Sequence, residues 1–189
     1  MKSAAVLFAL SLASAWAQLP RPPAAAPAAA PPAAASPTEK PRVPRQTLTD
    51  LEKRLNNKLA SYGGANDPID VLGAARGIYL DGYGVVFTVE VSPIMTPNIN
   101  PFHTVMTEPE KVKIHQRKLD RLPVLKQLLR DAWQESATAL TSVPDNQEVV
   151  VAARLLYLNW EDTRGLPGEI VMKGDRRAAV TGAIQMEEQ

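Results

Sequence analysis

Residues 79–91 read Tyr-Leu-Asp-Gly-Tyr-Gly-Val-Val-Phe-Thr-Val-Glu-Val, and this stretch decides the fold class. From Val85 onwards every second residue is apolar, which is the period of a strand with one buried face. The Asp-Gly dipeptide before it is a favoured hairpin turn, because both residues tolerate positive φ. The pattern predicts a β-hairpin with strands over residues 69–80 and 85–91.

Helical patterns flank this hairpin on both sides. Leucines at spacings of three and four predict a helix that begins at Thr47 or Thr49, either of which can cap it. Beyond the hairpin, an apolar stripe that includes Val112 predicts a long helix over residues 109–140. Pro123 lies in the middle of this helix, and its ring predicts a kink or a division into two helices.

The last third of the chain predicts a second pair of strands. Residues 148–160 are nearly all apolar, which is typical of a central strand, and residues 169–173 form a further strand. Residues 175–184 fit a short helix or another strand, and the end of the chain is expected to fray. Two hairpins around a long helix predict an α+β two-layer sandwich, in which the long helix and a shorter one pack on an antiparallel sheet.

Element order alone resembles that of profilin-like and roadblock-like domains. Residues 79–87 and residues 160–167, Trp-Glu-Asp-Thr-Arg-Gly-Leu-Pro, are similar to segments of uncharacterised exported bacterial proteins that carry a domain of unknown function. This resemblance covers about residues 48–177 and brings no known chemistry with it. It implies an exported bacterial domain and leaves the mechanism open.

The first residues have the composition of an export signal. Lys2 supplies a positive charge, residues 4–13 are apolar, and Ala15 and Ala17 fit the small-x-small pattern that predicts cleavage before Gln18. The alternative is an uncleaved membrane anchor, but the apolar run is shorter than the ~20 residues that span a bilayer. We therefore expect a periplasmic or extracellular mature chain without a transmembrane segment.

A linker is predicted over residues 18–46, which hold nine of the chain's 17 prolines and nine alanines. Repeated Pro-Ala units favour an extended, disordered segment over a helix, and they leave residues 47–189 as a single domain. The linker has a net charge of +3, although the whole chain has only +1. Its cations are Arg21, Lys40, Arg42 and Arg45. They predict weak contact with an anionic surface or solubilising charges on a spacer.

Motifs for catalysis, metals and nucleic acids are absent from the sequence. The chain has no cysteine and two histidines, His103 and His115, at no ligand spacing, so we expect no metal and no cofactor. His115 falls on the apolar stripe of its helix, where a hydrogen-bonded, partly buried histidine is expected. The basic residues of that helix lack interleaved aromatic residues for base stacking, so no nucleic acid partner is expected.

Residues 92–108 form a long connection that is rich in both proline and apolar residues. Such a connection either covers the domain's own core or presents an apolar patch to a partner. The candidate partner-binding residues are Met95, Phe102, His103 and Met106. On this pattern we expect an exported, non-enzymatic binding module that is held on a proline-rich tether.

Two alternative functions stay open. The first is a small exported hydrolase, in which Asp81, His103, Glu161 and Asp162 would have to converge at the hairpin ends. Adjacent residues such as Glu161 and Asp162 point to opposite faces of an extended segment, so this pair fits a turn better than a shared proton. The second is a homo-oligomeric structural protein of the envelope that associates through a sheet edge.

Overall fold

The computed structural model describes residues 43–62, 68–96 and 106–189. In chain order the elements are α1 (Arg45–Ser61), β1 (Asp70–Leu80), β2 (Gly84–Ser92), α2 (Glu108–Ala139), β3 (Glu148–Leu155), β4 (Glu169–Asp175), α3 (Ala178–Thr181) and β5 (Gln185–Glu188). Among these residues no helix is both long enough and apolar enough to cross a membrane.

Several of the sequence predictions fall outside the described residues. They are the export signal with its cleavage at Ala15, Ala17 and Gln18, the linker up to residue 42 with Arg21, Lys40 and Arg42, and the loop residues Phe102 and His103.

The five strands form one sheet in the order β1-β2-β3-β4-β5. Helices α1 and α2 pack on the face formed by alternate residues such as Val85 and Phe87, and together they enclose one main core. The fold is therefore α+β with two layers, as predicted. The hairpin β1–β2 is confirmed, and β3 pairs with β4 in antiparallel orientation across a longer connection, residues 156–168.

The central pair of strands corrects the expectation of an entirely antiparallel sheet, because β2 and β3 run parallel. The reason is the length of α2, which is a single helix of 32 residues that continues through Pro123. At 1.5 Å per residue it extends about 48 Å, longer than β2, so it carries the chain back past the start of that strand. Accordingly, β3 begins where β2 begins, with Gly84 beside Glu148.

Three boundaries differ from the expectation. Strand β3 ends at Leu155, and Trp160, which the prediction included in this strand, packs instead against a second cluster. The ambiguous segment, residues 175–184, contains the one-turn helix α3, and the strand β5 begins only after it. The last residues do not fray: β5 pairs with β4, and the backbone of Gln189 exchanges two hydrogen bonds with Glu169.

Helix α1 begins at Arg45, inside the stretch assigned to the linker, and Pro44 occupies its N-cap position. No side chain caps this end, so neither Thr47 nor Thr49 serves as the N-cap. The leucine pattern itself is confirmed, because its leucines lie buried in the main core. They are Leu48, Leu51, Leu55 and Leu59.

The main core is packed tightly around Phe87 and Trp133, both fully buried. The indole Nε1 of Trp133 donates a 2.7 Å hydrogen bond to the carbonyl oxygen of Val149, which fixes α2 on the sheet. Opposite Phe87 on the neighbouring strand lies Gly77, where a Cβ atom would come within 2.6 Å of the Phe87 ring. Only glycine fits at that position without displacing the aromatic ring.

Polar side chains of α1 cover the middle of the outer edge of β1. The Gly77 N–H donates to Glu52 at 2.7 Å, and the Ala75 N–H donates to the Asn56 side-chain oxygen at 2.9 Å. Arg45 donates to the Gly77 carbonyl at 2.8 Å and also pairs with Glu52 at 2.8 Å. These backbone groups are thereby satisfied, and a further strand cannot pair there.

Candidate functional site: the α2 cleft

A cleft of about 550 Å³ lies between the first turns of α2 and the connection formed by residues 156–168. We call it the α2 cleft. It is at the end of the sheet where β2 and β3 both finish. Its wall includes Lys111, Val112, His115, Trp160, Asp162 and Arg164.

The start of α2 is fixed by a capping box. The Glu110 carboxylate accepts hydrogen bonds from the Thr107 backbone N–H at 2.8 Å and from the Thr107 hydroxyl at 2.7 Å. Pro109 stands in the first turn, where its missing N–H costs no helical hydrogen bond. From this start, Lys111 and His115 follow at a spacing of four, which places both on the face that lines the cleft.

A small second core supports the cleft. Ile94, Met106 and Ile114 are buried together, and Trp160 packs against them. Met106, a candidate partner-binding residue, is therefore 5% exposed and covers the domain's own interior. Met95, in contrast, is 57% exposed and lies between Ile94 of the small core and Thr96.

An ion pair is buried between the cleft and the main core. Lys118 of α2 pairs with Glu161 of the connection, and the two side chains are only 1% and 2% exposed. The Lys118 ammonium also lies 5.0 Å from the centroid of the Tyr157 ring. Glu161 receives a further, long contact of 3.5 Å from the Thr96 hydroxyl. One carboxylate thus contacts both α2 and the segment that follows β2.

Tyr157 is fixed beside this ion pair. Its hydroxyl donates a 2.7 Å hydrogen bond to the Pro167 carbonyl, which ties the two ends of the connection together. Burial raises the pKa of Tyr157 well above its usual range, and the negative charge of Glu161 raises it further. The phenol therefore stays protonated and keeps this hydrogen bond.

His115 and Asp162 meet at the rim of the cleft. The His115 Nδ1 atom is 2.8 Å from the Asp162 carbonyl oxygen, and because a carbonyl can only accept, Nδ1 carries the hydrogen. The Asp162 carboxylate accepts hydrogen bonds from the Arg164 side chain at 2.6 to 3.0 Å and from its backbone N–H at 3.0 Å. These bonds hold the pKa of Asp162 well below its usual range.

Of the four residues that a hydrolase would require, the structure brings together only Glu161 and Asp162. Asp81 is in the turn between β1 and β2, at the opposite end of the sheet, roughly 23 Å of strand away. His103 is not among the described residues. Across the described ranges, no group of three His, Cys, Asp or Glu residues is placed to hold a metal ion.

The buried face of the first half of α2 differs from the predicted apolar stripe. Val112 of the predicted stripe is 66% exposed, whereas Leu122 of the same stripe is buried, as expected. Ile114 and Lys118, which lie outside the predicted stripe, are also buried. Their spacing of four was visible in the sequence. A lysine between two apolar residues of one helical face was the signal that could have identified the ion pair.

Comparison of the chain with family models, with curated proteins and with solved structures finds no match. The functional interpretation therefore rests on the geometry of the cleft and on the sequence.

Proposed function

We propose that this chain is an exported, non-enzymatic binding module of the bacterial envelope, and that the α2 cleft with Met95 contacts a protein partner. The observation that carries this proposal is the distribution of polarity in the cleft. Val112 and Met95 are 66% and 57% exposed, whereas the acidic groups beside them are already paired with cations. Exposed apolar side chains within a polar rim are typical of interaction sites.

The same pairing argues against the hydrolase alternative. A general acid or base must exchange its proton with a substrate, and that requires access and a pKa near the working pH. Glu161 is buried and neutralised by Lys118, and the pKa of Asp162 is lowered by Arg164. Neither carboxyl group is therefore prepared for proton transfer, whereas both are placed to stabilise the wall of the cleft.

Export and tethering are proposed from the sequence. The positive first residues, the apolar run and the Ala15 and Ala17 pattern support cleavage before Gln18. The proline-rich residues that follow would then separate the domain from an attachment point. Sequencing the amino terminus of the chain from fractionated cells tests this. We expect Gln18 as the first residue, outside the cytosol, and a cytosolic chain that begins at Met1 would contradict it.

Crosslinking in intact cells tests the binding surface. A photoreactive residue at position 95 should capture one partner, and Val112→Asp should reduce that capture about tenfold, because it places a charge in the apolar contact. Leu72→Asp is the matched control, since Leu72 is 50% exposed on β1, outside the cleft. Equal capture in the Val112 variant would show that the cleft is not the binding surface.

A further inference from the structure

The two edges of the sheet differ in whether their backbone groups are free. At β1, side chains of α1 bind the N–H group of Ala75 and both backbone groups of Gly77. At β5 all four residues are exposed. Among the described residues, β5 is thus the edge that another strand can reach.

The register of β4 and β5 shows which groups of β5 are available. Gln189 and Glu169 exchange both of their backbone hydrogen bonds, so they are a hydrogen-bonded pair of an antiparallel ladder. Such pairs alternate along a strand. Gln185 and Glu187 therefore bond inwards to β4, and the N–H and C=O groups of Met186 and Glu188 point outwards.

We propose that two copies of this chain associate through β5, antiparallel about a two-fold axis, and form a continuous sheet of ten strands. The axis passes beside Met186, whose outward N–H and C=O groups bond to those of Met186 in the second copy. Gln185 then lies opposite Glu187 of the second copy, where its amide can donate to the carboxylate. Because the axis is two-fold, this side-chain contact occurs twice.

The register one residue towards the carboxyl end is disfavoured by charge. Centring the axis on Glu187 would place that carboxylate directly opposite its own copy, and like charges in this position destabilise a sheet. In the register centred on Met186 each Glu187 instead faces an amide. Within its own chain Glu187 already pairs with Lys173 at 2.6 Å, and Glu188 pairs with Lys126 at 2.6 Å, so the acidic strand is locally neutralised.

Exposed apolar side chains at this edge add to the pairing. Met186 is 41% exposed and pairs with the buried Met172, so its side chain is on the helix-covered face. In the proposed dimer the two Met186 side chains come together on that face. Val180, on the short helix directly before β5, is 91% exposed and is apolar surface of the kind that association covers.

Sedimentation equilibrium of the whole chain, from about micromolar to about millimolar concentration, tests the dimer. We expect the mass to double as the concentration rises. Gln185→Lys should lower the dissociation constant of the dimer roughly threefold to tenfold, because each introduced lysine pairs with Glu187 of the other copy. Gln185→Glu should raise the dissociation constant by a similar factor. Both substitutions alter an exposed side chain. Because Gln185 lies opposite Lys173 within its own chain, amide exchange of Glu187 checks that β5 still pairs with β4 in each variant.

Met186→Pro should abolish the dimer, because proline removes the N–H at the axis while the inward hydrogen bonds remain. Amide exchange of Glu187 reports whether β5 still pairs with β4 in this variant. Leu72→Glu, on β1, is the control and should leave the dissociation constant unchanged. A monomer at every concentration would overturn the proposal. The proposal would also be overturned if both Gln185 substitutions changed the dissociation constant in the same direction. A dimer that survives Met186→Pro while β5 stays paired with β4 would overturn it as well.

Discussion

The main core and the small core are stabilised by different means. The main core is formed by apolar side chains from both helices and the sheet, around Phe87 and Trp133. The small core has three buried apolar residues, and the Lys118–Glu161 ion pair lies beside it. Apolar burial is additive and non-directional, whereas a buried ion pair is favourable only when both partners are present in good geometry. Removal of a charge should therefore lower the stability of the region next to the cleft, whereas loss of side-chain volume should lower the stability of the main core.

The largest expected effect is in the main core. Phe87→Ala should lower the free energy of unfolding by about 3 to 5 kcal/mol, because it removes a fully buried ring and leaves a cavity. Denaturant unfolding measures this change. Phe87→Leu keeps most of the volume and should cost much less. A loss below about 1 kcal/mol for the alanine variant would mean that the main core refills around the site.

Breaking the ion pair on one side should have the next largest effect. Lys118→Met leaves Glu161 buried without its cation and should cost about 3 kcal/mol. Adding Glu161→Leu removes the remaining charge and should restore most of that free energy. Unfolding of the two single variants and the double variant measures the coupling. Strictly additive losses would show that the two charges do not interact.

Trimming the small core should have a modest effect. Ile114→Val removes one buried methyl group and should lower the free energy of unfolding by about 1 kcal/mol. Because Trp160 packs on this cluster, we expect amide exchange in residues 156–168 to accelerate more than in β3. Uniform acceleration would mean that the two cores unfold as one unit.

The smallest effect is expected at the cleft rim. The pKa of Asp162 is lowered in the folded state, so its contribution to stability is present above its ordinary pKa of 3.8 and is lost as the pH falls towards the folded-state value. Asp162→Asn should therefore lower the midpoint of thermal unfolding slightly at pH 7. The difference between the two proteins should shrink below about pH 4. A difference that is independent of pH would exclude the carboxylate charge as its cause.

Local patterns predicted the elements well, and long-range geometry explains what they missed. The alternation after Val85 and the leucines of α1 each specify one element, and both are confirmed. The parallel pairing of β2 with β3 depends on α2 remaining one helix through Pro123, which a sequence pattern cannot decide. The strand β5 has no apolar alternation and forms because β4 offers it a free edge.

The candidate site was only partly predictable. Of the candidates from the sequence, Glu161 and Asp162 line the α2 cleft, and Met106 is buried in the small core. Met95 is exposed and follows Ile94 of that core. The role of Lys118 was missed, since its partner is 43 residues away in the chain. A contact over such a separation is decided by the packing of α2 on the connection. The pairing that neutralises Glu161 is therefore visible only in three dimensions.

The contacts of Arg45, Glu52 and Asn56 with β1 limit how far the sheet could extend by adding copies at its edges. A sheet with two open edges can add further copies without limit, whereas a sheet with one blocked edge stops after it has paired with one other copy. Because α1 blocks the β1 edge, pairing through β5 would occupy the open edge of each copy, and association would end at a dimer. If copies do pair through β5, the Glu52 carboxylate on the Gly77 N–H would therefore help to stop that pairing at two copies.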